Sequence, residues 1–155
     1  MLSFTKLVGA GNDFVFALSE SLSENTNRPE LAKKLCDRQF GIGADGLAII
    51  HPVDTEKNSF AWDFYNSDGS KAEMCGNAAR CCVLYIKEKF GTDVCEFETL
   101  AGTVSGKMSE GEIKVSWNLK SDKMAEVTID LENFKSFAGH FVNTGVPHFV
   151  LVNQF

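Results

Sequence analysis

Apolar residues follow one another from Ala78 to Ile86 with Arg80 as the single interruption, the most distinctive feature of the hydrophobic pattern. Placed on a helix, these side chains cover nearly the whole circumference, which is typical of a helix buried on all sides. Gly91 follows Phe90 and supplies the residue that commonly ends a helix. The pattern therefore predicts a buried helix from Asn77 to Phe90.

The rest of the pattern favours β-strands, with one further helix. Pro29 suits the first turn of that helix, and Leu31, Leu35 and Cys36 fall on one of its faces. A tight turn, with glycines supplying positive φ, is expected at residues 9–13, and a loop at residues 52–59. Strands are predicted at Leu2–Val8, Phe14–Leu18, Leu47–His51, Phe60–Tyr65, Val94–Thr99, Gly102–Met108, Glu112–Asn118, Met124–Ile129, Phe137–Asn143 and His148–Val152. These elements indicate an α/β (α+β) fold, and the length of 155 residues fits a single domain.

The stretch Gly41–Gly46 matches the dinucleotide fingerprint G-x-G-x-x-G letter for letter. That fingerprint works only between a preceding strand and a following helix. Here the order is reversed, because a predicted helix precedes the stretch and the strand Leu47–His51 follows it. We therefore interpret the stretch as a glycine-containing turn in which Asp45 accepts hydrogen bonds from local backbone N–H groups.

Cys75 stands at the threshold of the predicted buried helix. The first N–H groups of a helix are unpaired, and the positive end of its dipole lies there. This environment favours the thiolate, which makes a cysteine a usable base or nucleophile, and the same N–H groups bind anions such as carboxylates. The alternative is a buried cysteine that acts as a small apolar side chain. We adopt that alternative for Cys36, Cys81, Cys82 and Cys95, which lie inside helix or strand patterns.

Several uncharged or acidic polar residues occupy the turns that lead to Cys75. One interpretation is a polar pocket that holds the carboxylate and ammonium groups of an amino acid. The other is that Asn, Asp and Ser simply form turns, as they commonly do. The sequence leaves both open for Asn12, Asp13, Asn66, Ser67, Asp68, Ser70 and Asn77.

Composition narrows the classes of partner and compartment. Fifteen Lys and Arg against 21 Asp and Glu give a net charge of −6, which disfavours a nucleic-acid partner. No apolar run has the length of a membrane span. Five irregularly spaced cysteines suit reduced thiols in the cytoplasm. No metal site is expected, because the histidines have no ligand spacing to the cysteines.

Four motifs in their order and spacing resemble the diaminopimelate epimerase family. They are Gly9-Ala-Gly-Asn-Asp-Phe14, Cys36-Asp-Arg-Gln-Phe-Gly-Ile-Gly-Ala-Asp-Gly46, Phe64-Tyr-Asn-Ser-Asp-Gly-Ser70 and Glu73-Met-Cys-Gly-Asn-Ala-Ala-Arg80. Asn77 favours this family over the related proline racemases, which have a histidine at that place.

The resemblance implies a fold of two pseudo-symmetric domains, each with a mixed, barrel-like sheet wrapped round a central helix. It implies cofactor-independent epimerisation of LL-2,6-diaminopimelate to the meso form, in lysine and peptidoglycan synthesis. Cys75 would be one of two catalytic cysteines acting on opposite faces of the substrate. Substrate would be held by Asn12, Asn66, Gly76 and Asn77.

Two departures from the family pattern set further expectations. Val146 stands where the family has an asparagine that contacts substrate. The second catalytic cysteine belongs to a C-terminal half that residues 1–155 do not contain, so we expect an N-terminal half that is inactive alone. We also expect self-association through uncovered apolar surface, with a homodimer as one candidate assembly. Another amino-acid racemase of the same fold and a non-catalytic binding domain are the alternative functions.

Overall fold

The computed structural model describes residues 2–118, 125–129, 137–143 and 147–151. The chain divides into two compact units, Met1–Trp117 and Asn118–Phe155. The organisation of residues 1–155 as a single domain stays a prediction. No helix among the described residues is long and apolar enough to cross a membrane.

The first unit contains a seven-stranded sheet in which the spatial order of the strands follows the sequence. Two α-helices and a short 3₁₀ helix at Ser19–Ser21 connect these strands. The α-helices are α1 at Arg28–Cys36 and α2 at Gly76–Phe90. The strands are β1 at Thr5–Gly9, β2 at Asn12–Leu18, β3 at Gly46–Asp54, β4 at Ser59–Asn66, β5 at Val94–Thr99, β6 at Gly102–Ser109 and β7 at Glu112–Trp117.

The sheet is mixed, as the family resemblance implied. Strand β2 pairs in parallel with β3, and β4 pairs in parallel with β5. The other neighbouring strands are antiparallel. Each parallel pair needs a crossover connection, and α1 and α2 provide the two crossovers.

Helix α2 lies inside the curl of the sheet. It contacts β1 and β2 near one edge of the sheet and β5, β6 and β7 towards the other. Its buried side chains pack with the facing residues of β3 and β4, such as Ile50, Trp62 and Phe64. Gly91, with φ of 76°, ends the helix in the left-handed conformation. The predicted buried helix and the barrel-like mixed sheet round it are confirmed.

Helix α1 covers the opposite face of the same sheet. Asn27 caps its N-terminus by accepting a hydrogen bond from the Glu30 N–H at 3.2 Å. Ala32 and Cys36 pack against the face of β2, β3 and β4 that points away from α2. Alternating residues in these strands therefore serve two separate apolar clusters, which explains why β3 is apolar without interruption from Leu47 to Ile50.

The second unit contains three antiparallel strands in the spatial order β10, β9, β8. They lie at Ala125–Ile129, Phe137–Asn143 and Pro147–Val150, for β8, β9 and β10 respectively. These positions agree with the predicted strands. Met124, Val146 and Val152 lie outside the described residues.

The main difference from the predicted elements is in β3. This strand continues through Pro52 to Asp54, where a loop was expected. Pairing with β2 ends at Ile50, so Pro52 pairs only with β4, next to a shift in register. Proline has no N–H to donate, so it fits a strand where no neighbouring strand pairs with that side of the chain. The extension of β3 through Pro52 is therefore tolerated.

Gly106 allows β6 to approach α2 closely. A Cβ at this position would lie 2.3 Å from Val83 Cγ2 and 3.3 Å from Cys95 Sγ. Because Val83 is buried and β-branched, it cannot easily move aside. We expect Gly106→Ala to lower the free energy of unfolding by about 1–3 kcal/mol, as measured by urea denaturation.

Ser105→Ala provides a matched control, because Ser105 is exposed on the other face of the same strand. We expect this control to change the free energy of unfolding by less than about 0.5 kcal/mol. Adding Val83→Ala to Gly106→Ala should recover part of the loss. Equal stability of Gly106→Ala and the unmodified chain would contradict the described packing.

Candidate functional site

Cys75 is the N-cap residue of α2, with extended backbone angles of −144° and 112°. Its side chain makes no capping hydrogen bond and is half-buried at the edge of the α2 core. The residue therefore lies at the end of the helix where the first N–H groups have no intrahelical partner. The predicted place of Cys75 is confirmed, and its catalytic role stays a prediction.

The β1–β2 hairpin packs against the first turn of α2. A Cβ at Gly9 would lie 2.7 Å from Cys81 Sγ and 3.0 Å from the carbonyl oxygen of Asn77. Positive φ angles were expected at the glycines of this turn. They occur at Gly11 and at Ala10, the two residues between the strands, but not at Gly9. Gly9 is needed for close approach, and this approach brings Asn12 to the start of α2.

Asn12 and Asn77 are joined directly. The Nδ2 group of Asn77 donates to Oδ1 of Asn12 at 2.8 Å. Asn12 in turn donates from its Nδ2 group to Oδ2 of Asp45 at 2.9 Å, and Arg80 donates to Oδ1 of Asn77. Two of the predicted binding residues, 65 positions apart in sequence, thus form one polar surface next to Cys75.

Arg38 links the two carboxylates behind this surface. It donates two hydrogen bonds to Asp13, at 2.8 and 3.1 Å, and one to Asp45 at 2.8 Å. The bonds from Arg38, together with Lys6 at 3.1 Å, hold the pKa of Asp13 well below its usual range although burial opposes the shift. The bond from Asn12 is the main cause of the lowered pKa of Asp45, and Arg38 contributes to it.

The hydrogen-bond partners of Asp45 differ from those expected from the sequence. Its carboxylate was expected to bind local backbone N–H groups, but its partners are Asn12, Arg38 and the backbone N–H of Asp13 at 3.2 Å. The turn around it is otherwise as expected, with α1 before it and β3 after it. This order is the opposite of the dinucleotide-binding arrangement.

Asn66 lies at the end of β4, opposite Gly46 in the neighbouring strand. Its side chain donates to Ser70 Oγ at 3.0 Å, so it takes part in the turn. The next residue, Ser67, donates its backbone N–H to the carbonyl of Asp45 at 3.0 Å. The structure therefore joins the Asn66 turn to the Asp45 turn, while the part of Asn66 in binding stays a prediction.

Sequence reasoning missed three neighbours of the site. Arg38 and Arg80 lie within the motifs that resemble the family. Their positive charge next to polar turn residues was the feature of the sequence that could have placed them at the site. Trp117 lies near Gly76, where a Cβ would be 3.9 Å from the indole atom Cη2. It lies 41 positions from Gly76, and no local pattern connects the two residues.

The other four cysteines differ from Cys75 in their surroundings. All four are buried, which agrees with their interpretation as small apolar side chains. Burial raises the pKa of Cys36 and of Cys95 to about 11, and it also raises the pKa of Cys81 and Cys82. Among the described residues, no three His, Cys, Asp or Glu side chains lie close enough together to hold a metal ion.

The chain is similar to diaminopimelate epimerases in sequence. The family model described as Diaminopimelate epimerase matches residues 4–125. The diaminopimelate epimerase of Aquifex aeolicus is 41% identical over 97% of this chain and 57% of its own length. The corresponding protein of a Hydrogenobaculum species is 38% identical over 95% of this chain and 56% of its own length. The chain thus spans somewhat over half the length of these relatives.

Solved structures with little sequence identity share the fold. A hydroxyproline epimerase from Agrobacterium vitis superposes with a TM-score of 0.70 at 13% identity, over 96% of this chain and 50% of its own. A methylitaconate-delta-isomerase gives a TM-score of 0.56 at 15% identity, over 97% of this chain and 52% of its own. These likenesses support the fold class.

Cys75 is expected to react with iodoacetamide at neutral pH faster than the other four cysteines. The difference should be about tenfold or more, because Cys75 is half-buried at an open helix end and the others are buried. Peptide mass spectrometry after timed labelling measures each rate. In denaturant the five rates should converge, and equal rates in the native protein would remove the case for an accessible Cys75.

Arg38→Gln is expected to move acid unfolding to a higher pH. Asp13 and Asp45 have lowered pKa values when folded, so they stabilise the fold above their unfolded pKa. This stability is lost as the pH falls through the folded pKa values. Removing Arg38 raises those values, so the loss begins at a higher pH.

Circular dichroism during acid titration measures the midpoint of unfolding. Lys34→Gln removes the same charge from an exposed position on α1 and should leave the midpoint nearly unchanged. Identical midpoints for Arg38→Gln and Lys34→Gln would show that Arg38 has no specific effect on the two carboxylates.

Proposed function

This chain belongs to the diaminopimelate epimerase family, and we propose that it supplies one catalytic face of an epimerase acting on 2,6-diaminopimelate. The observation that carries the proposal is the position of Cys75 at the N-terminus of the enclosed helix, next to the joined amides of Asn12 and Asn77. All three residues lie within the stretch matched by the family model.

In the proposed reaction, the thiolate of Cys75 removes the proton from the α-carbon of one end of the substrate. Inversion then requires a proton from the opposite face, because return from Cys75 would restore the original configuration. The second acid would come from the part of the relatives that this chain does not span. The family resemblance implies that this chemistry proceeds without a cofactor.

The same helix end would hold the substrate. The free N–H groups at Gly76 and Asn77 point out of α2 and suit the α-carboxylate, whose negative charge the helix dipole also favours. The side chains of Asn12 and Asn77 lie beside them, and Asn66 lies in the turn joined to Asp45. We propose these four residues as the binding set, with Gly76 leaving room for the ligand.

We further propose that residues 1–155 do not catalyse inversion alone. One base can exchange the α-proton on one face, but it cannot deliver a proton to the other. The partner needed for activity is a domain that supplies the second acid. Cytoplasmic location and self-association also stay predictions.

The direct test incubates the purified chain with LL-diaminopimelate in deuterium oxide. We expect no meso product, because the chain provides one acid–base group. Chiral chromatography detects the product, and mass spectrometry detects deuterium at the α-carbon. Substantial formation of meso product by the chain alone would contradict the single-base proposal.

A fusion to the second half of the Aquifex aeolicus relative tests the role of Cys75. The fusion should form meso product, and Cys75→Ala should lower the rate about 10²–10⁴-fold, the usual contribution of a general base. Cys36→Ala is the matched control, because Cys36 is buried on the opposite face of the sheet. Equal rates for the two variants would overturn the assignment of Cys75.

A further inference from the structure

A continuous series of hydrogen bonds runs from Asp45 to Arg80 through two side-chain amides. Asn12 donates to Asp45 at 2.9 Å, Asn77 donates to Asn12 at 2.8 Å, and Arg80 donates to Asn77. Each bond uses the Nδ2 or guanidinium nitrogen of one residue and the oxygen of the next. The series therefore has one direction along its whole length.

The chemistry of the two ends fixes this direction. An ionised carboxylate can only accept hydrogen bonds, and a guanidinium group can only donate them. Turning the amide of Asn12 over would place its oxygen against the oxygen of Asp45. Turning the amide of Asn77 over would place its NH₂ group against Arg80. The opposite orientation is thus excluded at both asparagines.

Asp45 is itself held in place, and Arg80 lies on the same helix as Asn77. Asp45 is bound by Arg38 at 2.8 Å and by the backbone N–H of Asp13 at 3.2 Å, which keeps its carboxylate ionised and stationary. Arg80 lies three residues after Asn77 on α2, so the two side chains share one face of the helix. The fixed orientation of the amides therefore comes from residues outside the proposed binding set.

A consequence follows for the ligand. Each Nδ2 group has two hydrogens, of which the series uses one. The second N–H of Asn12 and the second N–H of Asn77 remain as donors on the surface beside Cys75. A pair of donors next to a helix N-terminus suits a carboxylate, whose negative charge the helix dipole also favours.

We propose that Asp45 and Arg80 are positioning residues that lock the amides of Asn12 and Asn77 with their N–H groups towards a carboxylate. The identity of that carboxylate, the α-carboxylate of an amino acid, rests on the proposed function. The locked orientation does not, because it follows from hydrogen bonds within the chain.

NMR of the asparagine side chains in the ¹⁵N-labelled 155-residue chain tests the lock without any catalysis. In the unmodified protein, one Nδ2 proton of Asn12 and one of Asn77 should exchange with water about tenfold more slowly than its geminal partner. Asp45→Asn alone should keep both slow protons, because Arg80 still fixes Asn77 and, through it, Asn12. Arg80→Met alone should keep them too, because Asp45 still fixes Asn12 and Asn77 still donates to its Oδ1. The double variant Asp45→Asn/Arg80→Met removes both ends and should reduce the difference at both asparagines.

Two variants control for loss of charge elsewhere. Asp54→Asn removes a carboxylate that pairs with Lys57 at the end of β3, and Lys34→Met removes an exposed cation on α1. Both should keep the slow protons of Asn12 and Asn77. If the double variant fails to fold, exchange of the Nδ2 protons in the unmodified protein still tests the lock. Fast exchange in the unmodified protein, or unchanged exchange in the double variant, would overturn the lock.

Titration with small molecules tests whether the free Nδ2–H groups of Asn12 and Asn77 bind a carboxylate. Pimelate has the carboxylates of the proposed substrate without its amines, and cadaverine has the amines without the carboxylates. We expect pimelate and diaminopimelate to shift the fast Nδ2 protons, and cadaverine to leave them unchanged. A shift with cadaverine and none with pimelate would overturn the proposed preference for a carboxylate. If no probe shifts a signal but the slow protons are present, the lock stands and the proposed function fails for this chain.

Discussion

Helix α2 has apolar side chains on nearly its whole circumference, so it is stable in water only where strands cover it on several sides. Removing a large apolar side chain such as Val83 or Ile86 from water contributes about 1.5–3 kcal/mol, and these two are among the seven buried residues of α2. The sheet meets this requirement by curling round the helix. The polar N-terminus of α2 must then emerge at one end of the curl, and this exit places Cys75 at a surface where a ligand can reach it.

The sequence was sufficient to predict α2, its end at Gly91 and the position of Cys75. These features depend on neighbours within a few residues, namely an apolar run and a glycine that stops it. Most strands were predicted for the same reason, since alternation is a local property. The family motifs added the shape of the sheet, which no local pattern of this chain could supply.

The sequence alone did not predict which distant segments of the chain pair with one another. Asp45 was expected to bind its own turn, whereas the register of β2 on β3 carries Asn12 and Asp13 to it. The continuation of β3 through Pro52 depends on where pairing with β2 stops, which the sequence does not state. Close approach explains Gly9 in the same way, because its neighbour on α2 lies far along the chain.

The antiparallel pairing of β3 with β4 decides which helix is enclosed. Both crossovers, β2–α1–β3 and β4–α2–β5, advance in the same direction across the sheet, but β4 and β5 run opposite to β2 and β3. Crossovers between parallel strands are almost always right-handed, so this reversal sends the two helices to opposite faces. The chirality of the polypeptide, acting through one hairpin, thus leaves α1 outside and turns α2 inward.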